Sequence, residues 1–203
     1  MRLYLASYAM ITMGKIIKHE GRDFIGKKAV FIPTAGDPYE NKDFVEADKI
    51  ALKIYGLDVV EMDVINKNEE EIREMIDGAD IILVAGGNTF YLMEKLKESG
   101  ADKIIKEFVS KGVIYIGSSA GSIICCPTIE GAEEFDDPSL APKLDNFDGM
   151  GFFRDVIIPH AYKEKYFERI RRATKRLESK GYNVYPLTDD DVLFFDGDSC
   201  TVL

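Results

Sequence analysis

The feature that most constrains the fold is an alternation between short, continuously apolar segments and longer amphipathic segments. Most of the apolar segments end in glycine or other turn residues, and each is followed by a stretch with the apolar spacing of a helix. Strands that are apolar on both faces are typical of parallel sheets covered by helices on two sides. The sequence therefore predicts an α/β fold, a doubly wound, mostly parallel sheet with helices on both faces. The clearest predicted strands are residues 28–32, 57–64, 81–85 and 113–116.

The alternation is interrupted once and then resumes. Residues 127–151 are rich in acidic residues and lack periodicity, which predicts a long irregular loop. No linker or repeat divides the sequence, so residues 1–203 are expected to form a single domain. The elements predicted beyond the loop are strands at 155–159, 183–186 and 192–195, a helix over 162–179 and a hairpin turn at 196–198.

Composition excludes several classes of protein. The chain of 203 residues carries 36 acidic and 26 basic side chains, a net charge of −10, which would repel a nucleic-acid backbone. No apolar run approaches the roughly 20 residues that cross a bilayer, so no membrane association is expected. The three cysteines form neither a disulfide framework nor a spaced metal-ligand pattern, which favours a reducing cytoplasm and predicts no metal.

A five-residue motif stands between the predicted strand 113–116 and the helix predicted after it. Its sequence, Gly117-Ser118-Ser119-Ala120-Gly121, matches G-x-S-x-G. In a nucleophile elbow, a tight turn exposes the central serine hydroxyl above the carboxyl ends of the strands. Ser119 is therefore a candidate nucleophile. The pentapeptide alone leaves open a phosphate-binding or purely structural turn.

A serine nucleophile needs a base within hydrogen-bond reach, and the chain offers two histidines. His19 lies in a charged segment typical of a protein surface. His160 closes the predicted strand 155–159 and would lie at the carboxyl edge of the sheet, where the sites of open parallel sheets assemble. His160 is therefore the candidate base.

The developing oxyanion needs backbone donors. The N–H of Ala120, at the start of the helix after the motif, is one candidate. The turn Gly86-Gly87-Asn88 follows the predicted strand 81–85 and supplies backbone without side chains that can approach a carbonyl closely. Neighbouring strands in this fold would place the two turns side by side.

Several motifs, in this order along the chain, resemble the peptidase E or aspartyl dipeptidase family and its relative cyanophycinase. The resemblance covers nearly the whole chain and implies a fold similar to the class I glutamine amidotransferases, with Ser119 at the position of their elbow cysteine. The motifs are Ala85-Gly-Gly-Asn-Thr-Phe-Tyr-Leu, Tyr115-Ile-Gly-Ser-Ser-Ala-Gly-Ser, Pro127-Thr-Ile-Glu130, Gly149-Met-Gly-Phe-Phe and Ile158-Pro-His-Ala-Tyr162.

The resemblance implies a serine hydrolase that cleaves short peptides, typically after an amino-terminal aspartate, without metal or organic cofactor. It assigns Ser119 as the nucleophile and His160 as the base and then the acid. The N–H groups of Gly87 and Ala120 would form the oxyanion hole.

The acid that orients His160 is left as two alternatives. In the family it lies between the serine and the histidine. Spacing to the dipeptidases without gaps favours Glu134, whereas the position in cyanophycinase and the Asp-Asp-Pro pattern favour Asp137. Either carboxylate could hold the imidazole in the required tautomer.

Recognition of an aspartyl side chain would call for a cation or several donors, and the candidate cation is Arg154 or, alternatively, Lys163 or Lys165. Asn88 is the other residue expected to bind substrate. The expected partner is a small peptide, and a homodimer is compatible with the sequence. The alternatives are a related amidase or isopeptidase, as cyanophycinase is, and a non-catalytic α/β protein that binds a small anion.

Overall fold

A computed structural model of the chain describes residues 1–161, 163–197 and 199–203. Two sequence predictions therefore fall outside the described residues, namely Tyr162 as the first residue of the last helix and Asp198 in the hairpin turn. The strands are β1 Leu3–Ala6, β2 Lys28–Ile32, β3 Asp58–Glu61, β4 Ile81–Val84, β5 Ile114–Ser118, β6 Val156–Ile158, β7 Val184–Pro186, β8 Val192–Phe195 and β9 Cys200–Val202. The α-helices are α1 Ala9–Glu20, α2 Asp43–Ile54, α3 Glu69–Ile76, α4 Thr89–Ser99, α5 Ala101–Ser110, α6 Ala120–Ile123 and α7 Phe167–Ser179.

The main sheet has seven strands in the order β3-β2-β4-β5-β1-β8-β9. The first five are parallel, and β8 and β9 continue the sheet in antiparallel pairing. Along β1, Leu3 and Leu5 join one apolar cluster while Tyr4 joins the other, as expected when successive side chains point to opposite faces. The predicted mostly parallel α/β sheet is confirmed.

Helices cover both faces of this sheet. The apolar side chains of α1 and α2 belong to one cluster, and those of α3, α4 and α5 to the other. All four residues of β4 are consequently buried. This double coverage explains why the central strands are continuously apolar rather than alternating.

The sequence predicts that the strand before His160 belongs to the main sheet, but the structure places it outside that sheet. It forms β6, which pairs in parallel with β7 in a separate two-stranded sheet. The place beside β1 in the main sheet is taken by β8. The small sheet still abuts the end of β1, because the Ser7 hydroxyl donates to the Leu187 carbonyl at 3.0 Å and accepts the His160 N–H at 3.1 Å.

Two helices are shorter than their sequence patterns predict. The apolar spacing after Gly86-Gly87-Asn88 predicts a helix that continues to Phe108, but Gly100, with φ 75°, ends α4 and precedes α5. The sequence predicts the helix after Ser119 over residues 120–126, but only the single turn α6 forms. Tighter turn bonds follow it, from Cys125 N–H to Ser122 and from Cys126 N–H to Ile123, and the next free carbonyls accept from the returning segment at Met150 and Phe152.

Among the described residues, no helix combines the length and apolar character needed to cross a bilayer.

Candidate active site

Ser119 lies at a strained turn between β5 and α6. Its backbone has φ 47° and ψ −105°, a conformation that residues with a side chain rarely adopt. The turn is held because the Ser119 N–H donates to the Ala6 carbonyl at 2.9 Å, and the Ser119 carbonyl accepts from Ser122 and Ile123. The fixed backbone directs the hydroxyl away from the sheet and toward His160.

The two glycines of the motif are required by close packing. A Cβ added to Gly117 would lie 2.6 Å from the Gly121 carbonyl oxygen, and one added to Gly121 would lie 2.1 Å from the Val84 carbonyl oxygen. Both distances are far below van der Waals contact, so a side chain at Gly117 would push α6 away from β5, and one at Gly121 would push α6 away from β4.

The other two serines of this segment are tied to the neighbouring β1 region. The Ser118 hydroxyl accepts the Ala9 N–H at 3.1 Å, and the Ser122 hydroxyl donates to the Ala6 carbonyl at 2.8 Å. Both side chains are buried. Ser119 is therefore the serine of the motif that faces the base.

Ser119, His160 and Asp189 form a continuous chain of hydrogen bonds. The Ser119 Oγ lies 3.1 Å from His160 Nε2, and His160 Nδ1 lies 2.7 Å from Asp189 Oδ1. Because a carboxylate only accepts, the arrangement requires the tautomer that carries its proton on Nδ1. Nε2 is then free to accept the serine proton.

The pKa shifts of His160 and Asp189 favour a neutral imidazole beside a charged carboxylate. Burial lowers the pKa of His160 below its ordinary value, more than Asp189 raises it, so the imidazole is neutral at neutral pH. Burial alone would raise the pKa of Asp189, but the hydrogen bonds from Lys163 and His160 outweigh it and hold that pKa below the ordinary value. Asp189 is therefore a carboxylate whenever His160 acts as a base.

The acid facing His160 corrects the sequence-based expectation, because the structure places neither Glu134 nor Asp137 against this histidine. The Glu134 carboxylate instead binds the Arg172 guanidinium on α7, at 2.8 and 3.2 Å. The exposed Asp137 accepts the Ser139 N–H at 2.9 Å and caps the following 3-10 turn.

Asp189 belongs to an acidic run, Asp189-Asp-Asp191, whose composition in the sequence is typical of a turn. The sequence offered one partial signal, because His160 and Asp189 both follow predicted strands, 155–159 and 183–186. Because β6 and β7 are parallel and Ile158 pairs with Pro186, their carboxyl ends meet, so His160 and Asp189 leave the small sheet at the same edge. Finding this acid required knowing that these two strands pair with each other.

The glycine turn after β4 lies beside Ser119, as the sequence predicted from the adjacency of β4 and β5. A Cβ added to Gly86 would lie 3.3 Å from the Ser119 Cβ. Gly87 has φ 146°, and a Cβ there would lie 2.0 Å from the Ala35 carbonyl oxygen. Within the described residues, the N–H groups of Gly87 and Ala120 donate to no protein acceptor, which leaves both available to an oxyanion.

The two residues expected to bind substrate are placed elsewhere. Asn88 is fully buried, and its amide is occupied because Oδ1 accepts the Tyr91 N–H while Nδ2 donates to the Asp137 carbonyl. It caps α4. The Arg154 side chain is 91% exposed and makes a long ion pair with Asp155. Neither side chain lines the cavity above Ser119, whereas Lys163 does.

A cavity of about 450 Å³ opens above Ser119, His160 and Gly87. This volume falls within the range of small-molecule sites. Aromatic rings and two carboxylates, Asp48 and Asp136, form much of its remaining wall. The site can therefore hold a small substrate against the serine, the histidine and the glycine turn at once.

Asp48 on α2 is a buried carboxylate beneath this site. It accepts the Met10 N–H at 3.0 Å and also hydrogen bonds to the Ser118 side chain and the Gly86 backbone. It thereby joins α1 to the two turns that carry Ser119 and Gly87. Burial raises its pKa to about 6, against the opposing effect of these bonds.

We expect Asp48→Asn to change how stability depends on pH. A raised carboxyl pKa in the folded state means that the stability from protonated Asp48 is lost as pH rises from about 4 to about 6. Between pH 4.5 and 7.5, the variant should therefore gain about 2 kcal/mol relative to wild type. Urea unfolding of both proteins across this range measures the difference. A difference independent of pH would contradict the assignment.

In the part of the chain that the structure describes, no group of three or more histidine, cysteine, aspartate or glutamate side chains is arranged to hold a metal ion. Cys125 and Cys126, just beyond α6, are fully buried, and burial raises the pKa of the Cys126 thiol to about 12. These cysteines are therefore neutral, apolar groups of the core.

Comparison with known proteins adds independent information. A family model described as peptidase family S51 matches residues 6–203. An uncharacterised peptidase of Listeria innocua is 37% identical over 168 residues, covering 83% of this chain and 80% of the relative. Peptidase E of Escherichia coli is 34% identical over 134 residues, covering 66% of this chain and 55% of the relative.

Solved structures give the same picture. A 1.5 Å crystal structure of a candidate peptidase E protein from Listeria monocytogenes matches with a TM-score of 0.91 and 32% identity, covering 100% of this chain and 97% of that one. A peptidase from an acI-B1 actinobacterium matches with a TM-score of 0.76 and 18% identity, covering 100% of this chain and 86% of that one, and shows the fold alone.

Proposed function

Because the chain belongs to peptidase family S51, we propose that it hydrolyses short peptides through an acyl-enzyme on Ser119. The observation that carries this proposal is the Ser119 Oγ to His160 Nε2 contact of 3.1 Å, with Asp189 on the other imidazole nitrogen. Family membership also argues against the alternative of a non-catalytic anion-binding protein.

In the acylation step, the Ser119 oxygen attacks the carbonyl carbon of the scissile peptide bond while His160 Nε2 takes the serine proton. The carbonyl oxygen becomes an oxyanion, which the N–H groups of Gly87 and Ala120 stabilise. The tetrahedral intermediate collapses when His160 returns its proton to the leaving amine. Asp189 holds the imidazole orientation and stabilises the imidazolium between the two proton transfers.

Deacylation repeats these steps with water. His160 takes a proton from a water molecule as its oxygen attacks the acyl carbon, and it then protonates the departing Ser119 oxygen. The products are a free carboxylate and the regenerated serine. No residue other than Ser119, His160, Asp189 and the two backbone donors is needed for proton transfer or charge stabilisation.

A related amidase or isopeptidase would use the same intermediate. The two activities differ in the acyl group that is transferred to Ser119, an α-carboxyl in a peptide and a side-chain carboxyl in an isopeptide such as β-Asp-Arg. Rates for Phe-Leu and for the isopeptide β-Asp-Arg therefore separate them. The proposal expects hydrolysis of the α-linked dipeptide.

The preference for an amino-terminal aspartate is the finer expectation from the resemblance, and it requires a cation in the cavity. Among the described residues that line the cavity, Lys163 is the cation, and its ammonium binds Asp189. Arg154 lies outside. The reaction is therefore proposed without this preference, and Asp-Leu is one member of the substrate panel described below.

A fluorophosphonate probe tests the proposed chemistry directly. It phosphonylates an activated serine, so incubation should add one probe mass to the intact protein, and peptide mapping should place that mass on Ser119. Labelling should require neutral His160 and should be lost as pH falls below its lowered pKa. Absence of an adduct at neutral pH, or an adduct on another residue, would contradict the nucleophile assignment.

A further inference from the structure

The charge of the cavity disfavours an anionic substrate. Its described lining contains the carboxylates Asp48 and Asp136, and its cation Lys163 already neutralises Asp189. The tyrosine hydroxyls of the wall are neutral donors, which do not offset the charge of a second carboxylate. An aspartyl side chain in this cavity would therefore lie near like charges without a free cation.

Asp136 presents a fixed carboxylate to the same space as Ser119. Its Oδ2 accepts both the N–H of Thr89, at 2.9 Å, and the hydroxyl of Thr89, at 2.6 Å. Its Oδ1 has no hydrogen-bond partner within the described part of the chain. Because Thr89 holds one oxygen at the start of α4, the other is available to a ligand without loss of side-chain freedom.

Two aromatic pairs border this carboxylate and the base. Phe135 and Tyr166 meet edge to face at a centroid distance of 5.5 Å, and the Tyr166 ring lies 6.3 Å from the His160 ring. Tyr39 and Phe44 form a second pair, also edge to face, at 5.8 Å. All four rings line the cavity. Rings of this kind bind an apolar or aromatic substrate side chain most favourably, because its burial removes apolar surface from water.

Resting on the proposed function, we propose that the site takes short peptides with a free amino terminus, whose ammonium binds Asp136 and whose first side chain is apolar or aromatic and packs between these rings. The carboxylate and the nucleophile share one small cavity, so the ammonium and the first carbonyl carbon of one substrate can meet both. The same walls disfavour an amino-terminal aspartate.

A dipeptide panel tests the substrate class. Phe-Leu should show a kcat/KM at least about tenfold above that of Asp-Leu, because the latter adds an unpaired charge to the cavity. Acetylation of the Phe-Leu amino terminus should lower kcat/KM by at least about tenfold, because it removes the ammonium that pairs with Asp136. Asp-Leu turned over as fast as Phe-Leu, or acetylation without effect, overturns the proposal.

Asp136→Asn tests the role of the carboxylate, since asparagine can still accept from Thr89. Its kcat/KM for Phe-Leu should fall about 10- to 100-fold, the loss expected when one hydrogen bond between charged groups is removed. Its kcat/KM for the acetylated peptide should change less than about threefold. Asp137→Asn is the matched control, because its exposed side chain faces Ser139 and lies outside the cavity. It should retain the wild-type preference for the free amine.

The labelling experiment distinguishes failure of the proposed peptidase activity from failure of the substrate proposal alone. If Ser119 takes no probe and no dipeptide is cleaved, the proposed function itself fails. If Ser119 is labelled but Asp136→Asn lowers Phe-Leu and acetylated Phe-Leu equally, Asp136 only supports the fold, and the substrate proposal is overturned. Loss of the free-amine preference in Asp136→Asn alone supports it.

Discussion

Replacing Ser119 with alanine should lower kcat for a cleavable dipeptide by at least about 10⁴-fold, because it removes the hydroxyl that His160 Nε2 contacts and with it the covalent intermediate. His160 would retain its contact with Asp189 but would have no hydroxyl to deprotonate. The fluorophosphonate adduct should disappear at the same time. Initial rates with Phe-Leu and the intact mass after probe treatment measure the two effects.

Ser118→Ala is the matched control for this experiment. It removes a buried hydroxyl from the adjacent residue, which bonds to the Ala9 N–H and to Asp48, whereas the two ring nitrogens of His160 bond to Ser119 and Asp189. We expect it to lower the free energy of unfolding by about 1–2 kcal/mol, the cost of a lost buried hydrogen bond, while the probe still labels Ser119. If Ser119→Ala kept more than a small fraction of wild-type activity, the acyl-enzyme proposal would be wrong.

The second large effect is expected from Asp189→Asn, which should lower kcat by about 10²- to 10⁴-fold. The neutral amide can donate to His160 Nδ1 and so favours the tautomer with its proton on Nε2, which cannot accept the serine proton. It also no longer stabilises the imidazolium. The variant further loses the ion pair with Lys163. Probe labelling rates at neutral pH report acylation independently of substrate binding.

Glu134→Gln and Asp137→Asn are the informative comparisons. Both acids are candidates from sequence, but the structure ties Glu134 to Arg172 and Asp137 to the Ser139 N–H. Each variant should keep acylation within about threefold of wild type, as expected for surface polar contacts away from the reacting atoms. Slow acylation in either variant, together with normal acylation in Asp189→Asn, would show that the acid of the triad lies between Ser119 and His160 in the sequence.

The confirmed parts of the sequence analysis depend on local patterns. The apolar run 81–85 predicts a buried strand because both of its faces must be covered, and β4 is fully buried. The spacing of glycines around Ser119 predicts a tight turn because close backbone approach excludes a Cβ. The backbone atoms that surround Gly117 and Gly121 leave no room for one. Such features are encoded within a few neighbouring residues.

The failures concern contacts between distant residues. His160 and Asp189 are brought together by the parallel pairing of β6 with β7, and no local pattern states which strand pairs with which. Arg154 is chemically suited to bind an anion, yet its side chain is 91% exposed on another surface. The charge type of a residue can be read from the sequence, but its partner cannot.

The sequence by itself determined the layered α/β fold, the turn that carries Ser119 and the candidate base, because periodicity, apolar content and glycine spacing act over short distances. Only the tertiary structure decided the acid and the lining of the cavity. The reason is physical: the pairing of β6 with β7 brings Asp189 to His160, and hydrogen bonds to Thr89, 47 positions earlier, hold Asp136 in the wall of the cavity. Both contacts join segments whose proximity arises from packing of the whole chain.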